Sequence, residues 1–242
     1  MKKFLWSGFT LGEALIALAI VGIIVALTVP NVIDNYQKKS FAIAAKKNYL
    51  NIQESLTRLQ TENYRNKSIF GTTLQKQGDQ ELTDNVGKFL TENFRINNDC
   101  GETAQPCFAP TYRAIDSSSE TAFSCDGYSV SLSNGASVCM IPASISHITL
   151  SGNATTPGRV VIVKNPVTVY LDTNGPDTPN IGGRDMFTFN IYEDFSIDEV
   201  SPTEIKNATV NRNTLFENNC KTSSVGKGCF NKLIIDKWKM NY

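Results

Sequence analysis

The chain has 242 residues, 41% apolar and 10% aromatic, which is enough to build a packed core and excludes wholesale disorder. Its 23 basic and 23 acidic residues cancel, which excludes a whole-protein electrostatic grip on nucleic acid, and its single histidine, His147, restricts any histidine-based catalytic or metal centre to one position. Charge is unevenly spread: through Arg65 there are 8 basic and 4 acidic residues, and from Asn66 onward 15 and 19, so a basic stem precedes a mildly acidic body.

Lys2 and Lys3 open a short leader that ends at Ser7-Gly8. From Phe9 to Val29 the chain is apolar, and as a helix this run extends about 31 Å, close to the thickness of a hydrocarbon core. It is long enough to span a bilayer once. A removable secretory signal would have a shorter apolar region ending in small residues before its cleavage site. Instead an acid, Glu13, stands inside the run. An ionisable group there costs on the order of 2.5 to 3.5 kcal/mol on insertion scales unless it is paired.

These residues carry a resemblance. Lys2, Lys3, Ser7-Gly8, Phe9-Thr10-Leu11-Gly12-Glu13 and the apolar helix behind them resemble the class III signal of type IV pilins and type II secretion pseudopilins. In that family a prepilin peptidase cuts after the glycine and methylates the new amine, so the resemblance implies processing between Gly8 and Phe9. It also implies an assembly role for Glu13, facing the Phe9 ammonium of a neighbouring subunit or, alternatively, of its own helix. Gly12 departs from the family pattern, where a larger apolar residue is usual. Gly22 and Pro30 are weak points in the helix, one for propensity and the other for its missing amide, and family filaments lose helix in this stretch.

Beyond the span, Ala42, Ala45, Tyr49, Ile52, Leu56 and Leu59 recur at steps of 3 and 4, an apolar stripe that predicts an amphipathic helix bedded on its own head. Lys38, Lys39, Lys46 and Lys47 partly offset the positive-inside bias of the leader. Thr83 to Phe94 predicts a short helix. Tyr128 to Met140, Val160 to Val163, Val167 to Leu171 and Met186 to Tyr192 predict strands of an antiparallel sheet. The expected class is therefore α+β and pilin-like: a leader over residues 1–8, a membrane and filament-core helix over 9–30, an amphipathic stem over 31–65 and a globular head over 66–242.

Six cysteines, at 100, 107, 125, 139, 220 and 229, lack metal-site or redox spacing, and their even number predicts disulfides in an oxidising compartment. Sequence neighbours are the expected partners among 15 possible pairings. Asp172-Thr-Asn174-Gly-Pro-Asp177-Thr-Pro-Asn180-Ile-Gly-Gly-Arg-Asp185 lies between two predicted strands and offers oxygens at five positions, Asp172, Asn174, Asp177, Asn180 and Asp185. It is not an EF-hand, and it resembles the calcium or calcium-like loops of many pseudopilins; an ordinary turn-rich hairpin loop has the same composition. Calcium is the one ion with a candidate loop, and no cofactor is required.

No convergent catalytic set is present: His147 has no nucleophile motif, and the adjacent Glu193 and Asp194 point to opposite faces of a strand. Asn66, Asn153 and Asn207 begin sequons, which are weak signals in a bacterial protein. The expected role is a non-enzymatic structural subunit of a type IV pilus or type II secretion pseudopilus. It would sit in the inner (cytoplasmic) membrane by one span, head outward, and then enter the filament. The implied partners are other pilin or pseudopilin subunits, the prepilin peptidase and an inner-membrane assembly platform, with no nucleic acid. The competing readings are a membrane-anchored periplasmic enzyme and a tip adhesin or minor pilin.

Overall fold

The computed structural model describes residues 8, 10–62, 74, 81, 85–150, 159–202 and 212–242, with the backbone alone for 145–150 and 159–164. The leader through Ser7, Phe9 and the three sequons at Asn66, Asn153 and Asn207 lie outside the described residues. The chain divides into two compact units, Met1–Ser40 and Phe41–Tyr242. One helix, α1 (Leu11–Glu62), runs through the boundary between them.

From Ala14 to Val29 α1 is apolar on every side, and Leu11, Leu15, Ile16, Leu18, Ile20, Val21, Ile23 and Ile24 are all exposed. A helix without a polar face has no aqueous side, and this one is long and apolar enough to cross a membrane. In the single chain α1 is continuous through Gly22 and Pro30. Proline removes only its own amide from the ladder, and the flanking apolar residues are good enough helix formers to carry the helix past it.

In the second unit α1 becomes amphipathic as predicted. Ala42, Ala45, Ile52 and Leu56 are buried, and Tyr49 and Leu59 pack against the same cluster half-buried. They meet a six-stranded antiparallel sheet in the order β1-β4-β5-β8-β9-β10, formed by Ile96–Gly101, Tyr128–Leu132, Ser137–Ile141, Val167–Asp172, Met186–Ile191 and Ile197–Asp198. Strand alternation gives this sheet two working faces. Val138, Met140, Val169 and Leu171 join the helix-side core with Phe89 and Leu90 of α2 (Val86–Asn93). Cys139 and Tyr170 belong to a second cluster built with Phe108, Tyr112 and Phe123. A small hairpin, β2 (Thr111–Arg113) and β3 (Glu120–Ala122), contributes Tyr112 to that second cluster. A separate ribbon pairs β6 (Ser144–Leu150) with β7 (Arg159–Asn165).

The chain ends in a short helical turn α3 (Arg212–Leu215), a π-turn over Phe216–Cys220 and α4 (Cys229–Ile235). Phe230 of α4 is fully buried, stacked on Phe189 of β9 at 4.4 Å and in contact with Tyr49 of α1 and with Trp238, each at 5.8 Å between ring centroids. Trp238 is thus a half-buried contact of the core. All three disulfides join sequence neighbours, Cys100–Cys107, Cys125–Cys139 and Cys220–Cys229, and no cysteine is free. Both apolar clusters lie entirely within Phe41–Tyr242, so this unit carries its own core.

Candidate functional site

Glu13 sits at the mouth of α1 and closes a capping box. Its Oε2 accepts the Thr10 amide at 2.8 Å and the Thr10 hydroxyl at 2.7 Å, while Thr10 Oγ1 accepts the Glu13 amide at 3.3 Å. Thr10-Leu-Gly-Glu13 is the T-x-x-E pattern that satisfies helix-start donors reciprocally, a signal present in the sequence and not used in reading it. Glu13 therefore has a partner within its own chain. Gly8 is exposed, and a Cβ there would meet nothing within 4 Å. Gly12 is equally open.

The Asp172–Asp185 loop is organised by its own hydrogen bonds. Asp172 is fully buried and accepts the Tyr112 hydroxyl and, at 3.1 Å, the Asn174 amide. Asp185, also fully buried, accepts the amides of Asn180 and Ile181, both at 2.7 Å. The Asn174 side chain donates to the carbonyls of Asp177 at 2.6 Å and Thr178 at 3.1 Å, and Asn180 takes a left-handed backbone at φ 54°. Burial first, and then the charge of Asp185, hold the Asp172 carboxyl well above the usual range. Burial pushes Asp185 up to about 6 against the pull of its backbone donors. Tyr112 is held neutral by burial and by the Asp172 charge.

Whether these residues suit a hard cation can be tested on their oxygens. Among the described residues no group of three or more His, Cys, Asp or Glu is gathered for a metal, so the carboxylates come only as the Asp172 and Asp185 pair. Asn174 Oδ1, Asn180 Oδ1 and Thr173 Oγ1 are buried with no hydrogen-bond partner. Two desolvated carboxyls beside unpartnered neutral oxygens match the hard-oxygen donor set that calcium takes, whereas the Asp177 side chain is exposed and enters the loop through its backbone carbonyl.

A third polar centre went unread in the sequence. Glu199 reaches the start of α4, where its carboxylate accepts the amides of Gly228 and, at 2.7 Å, Asn231. Burial raises it to about 8. Next to it, Asp198 holds Arg212 through two bonds of 2.5 and 3.0 Å, and Arg212 also donates to Asn231. This cluster fastens the last secondary elements to the sheet edge. His147 lies in β6, and Glu193 and Asp194 follow β9; Asp194 caps a turn by accepting the Ser196 amide at 3.1 Å and the Ser196 hydroxyl at 2.5 Å.

No family model, curated protein or solved structure matches this chain. What stands is architectural: a long apolar N-terminal helix followed by an antiparallel sheet is a pilin-like arrangement, and that helix together with three disulfides points to a membrane-anchored, extracytoplasmic protein.

Proposed function

We propose that the chain is a structural subunit of a pilin-like filament, a type IV pilus or a type II secretion pseudopilus. A prepilin peptidase cuts after Gly8 and methylates Phe9, and the subunit assembles on an inner-membrane platform through α1. The observation that supports this most is the capped start of α1. An acid is kept at the head of a helix whose next stretch, Ala14 to Val29, is apolar and exposed, with Gly8 just before it, and beyond that stretch lies a disulfide-bonded sheet domain. A plain membrane anchor needs no acid at that depth, and retaining one is unfavourable without a partner. Cleavage creates that partner, since the Phe9 amine has a reference pKa near 8 and is cationic at neutral pH.

The capping box and the filament contact then alternate. In a lone subunit Glu13 is satisfied by Thr10; in a bundle the same carboxylate is offered to the Phe9 ammonium of the next subunit, which sets axial register. Calcium in the Asp172–Asp185 loop belongs to the same proposal, held by the two carboxylates and the side-chain oxygens of Asn174 and Asn180, where it would neutralise a buried pair of acids. Mass spectrometry of the mature amino terminus tests the reading. A mature chain beginning at methylated Phe9 is expected; an intact Met1, or a cut between Ala26 and Pro30, overturns it.

A further inference from the structure

The flank of α1 and the end of the main sheet enclose a cleft of about 250 Å³. Its helix wall is one face of α1, where Lys47, Asn51, Ser55 and Arg58 stand at steps of 4, 4 and 3. Its other wall is the joint between α2 and β1, with Phe94 and Arg95, and the β4–β5 turn, with Ser133 and Asn134. The two walls are fastened to each other. The Asn134 side chain donates to Asn48 of α1 at 2.9 Å and accepts the Ala136 amide at 3.1 Å, and the Ser133 amide donates to the Arg95 carbonyl at 2.8 Å. Asn48 is itself buried and donates to the Ala44 carbonyl at 3.0 Å, which anchors the turn in the stem. The shape of the cleft is thus set by the fold, as in most ligand sites.

Its polar groups are largely unspent. Lys47, Arg58 and Arg95 bring three positive charges against one negative, Glu54. The Glu54 and Arg58 contact, at 3.9 Å between two exposed side chains, holds little. The side chains of Lys47, Arg95, Asn51 and Ser133 have no ion pair or hydrogen bond among the described residues. Ser55 and Asn93, by contrast, give theirs to the carbonyls of Asn51 and Phe89, at 2.9 Å each. The apolar part is small. It consists of Leu132 and of Phe94, half-buried and packed edge-on to Phe89 at 5.9 Å between centroids.

This inventory selects an occupant. Sites for drug-sized molecules run to roughly 300 to 1,000 Å³ and are mostly apolar, so a smaller and mostly polar cleft suits one hydroxylated ring. Two unpaired cations on facing walls call for an acid. Arg95 offers the planar fork that matches a carboxylate, and Lys47 a point charge. Phosphate is a poorer fit, because α1 contributes only its flank and α2 its carboxyl-terminal end, and neither supplies the helix-start amides that hold a phosphate. A peptide acid brings a carboxylate but neither the ring of hydroxyls that Asn51 and Ser133 can partner nor the C–H face that Phe94 can cover. We propose that the cleft binds an acidic saccharide, one carboxylated sugar ring whose acid lies between Lys47 and Arg95. Such binding is independent of filament assembly.

The full chain in neutral detergent, titrated calorimetrically with glucuronate, glucose, inorganic phosphate and a short oligoglutamate peptide, tests this. Glucuronate should bind at one site, and glucose, the same ring without its acid, about tenfold more weakly or worse. Lys47→Gln and Arg95→Gln should each weaken glucuronate about tenfold, the size of one charge-assisted hydrogen bond, at an unchanged melting temperature. Lys46→Gln removes an exposed charge of the same stem from outside the cleft and should change nothing. A glucuronate oligosaccharide that binds more tightly than the monomer identifies a polymer as the source, and equal or weaker binding a free sugar acid; either supports the proposal. No binding at millimolar glucuronate overturns it. So does glucose or phosphate bound as tightly as glucuronate, oligoglutamate bound more tightly, or Lys46→Gln as damaging as Lys47→Gln.

Discussion

Replacing Phe230 by alanine should be among the most damaging single changes to the head, because one ring closes three contacts. It is fully buried, stacked on Phe189 and packed against Tyr49 and Trp238. Truncating a buried phenylalanine costs about 3 to 5 kcal/mol, and loss of aromatic partners places this site toward the upper end. Against a typical margin of 5 to 15 kcal/mol that is a large share, and in a unit of this size it lowers the melting temperature by roughly 10 to 20 °C. Urea and thermal unfolding of the Phe41–Tyr242 unit measure it directly. Leu50→Ala, on α1 but 48% exposed, is the control and should stay within about 0.5 kcal/mol of the parent. Because Tyr49 and Phe230 touch, Tyr49→Ala and Phe230→Ala should be non-additive. A Phe230→Ala loss below about 1 kcal/mol, or strict additivity with Tyr49→Ala, would refute the claim that this ring locks stem to sheet.

Three further outcomes follow from the polar sites. Asp185, at about 6, and Glu199, at about 8, keep protons in the folded head that the unfolded chain releases near 4, so the folded state binds more protons across that window. Stability should therefore fall as pH rises from about 4 to 8, read from urea midpoints; a midpoint that climbs over this range contradicts the burial of these acids. Free calcium at a hundredfold excess over its dissociation constant should add about 2.7 kcal/mol and flatten that pH dependence. Asp172→Ala should abolish both effects, and identical calorimetric traces with and without chelator would remove the ion from the loop. Glu13→Ala should leave cleavage after Gly8 intact yet abolish filaments in sheared fractions; filaments at the parental level would mean that this carboxylate serves only its own helix cap.

The stem was legible because its signals are periodic and strong: the stripe from Ala42 to Leu59 faces the core as spaced, and the apolar run before it lacks a polar side. Pairing of neighbouring cysteines also held. Other features were hidden for identifiable reasons. Tyr128 to Met140 reads as one strand but is two, β4 and β5, turned at Asn134-Gly135, where Gly135 takes φ 90°; the Asn-Gly pair was the available clue. β1, with the sequence Ile-Asn-Asn-Asp-Cys-Gly, has almost no strand propensity and forms as an irregular edge strand, its register with β4 shifting twice. The Asp198, Glu199 and Arg212 cluster joins residues from separate elements, and two adjacent acids at the end of a short strand give no local sign that the second will cap a helix thirty residues later.

The contacts of Tyr49 with Phe230 and Trp238 also constrain how the protein is made. Tyr49 is made well before Phe230 and Trp238, with most of the head between them, so the loop that must close is a long one. Until those rings are in place, the apolar stripe of the stem lacks its aromatic cover. A chain stopped before Phe230 would thus display Tyr49 and its neighbours to any protease or chaperone that reads exposed apolar surface, which makes the segment from Phe230 to Trp238 the point at which a finished head is told from an unfinished one.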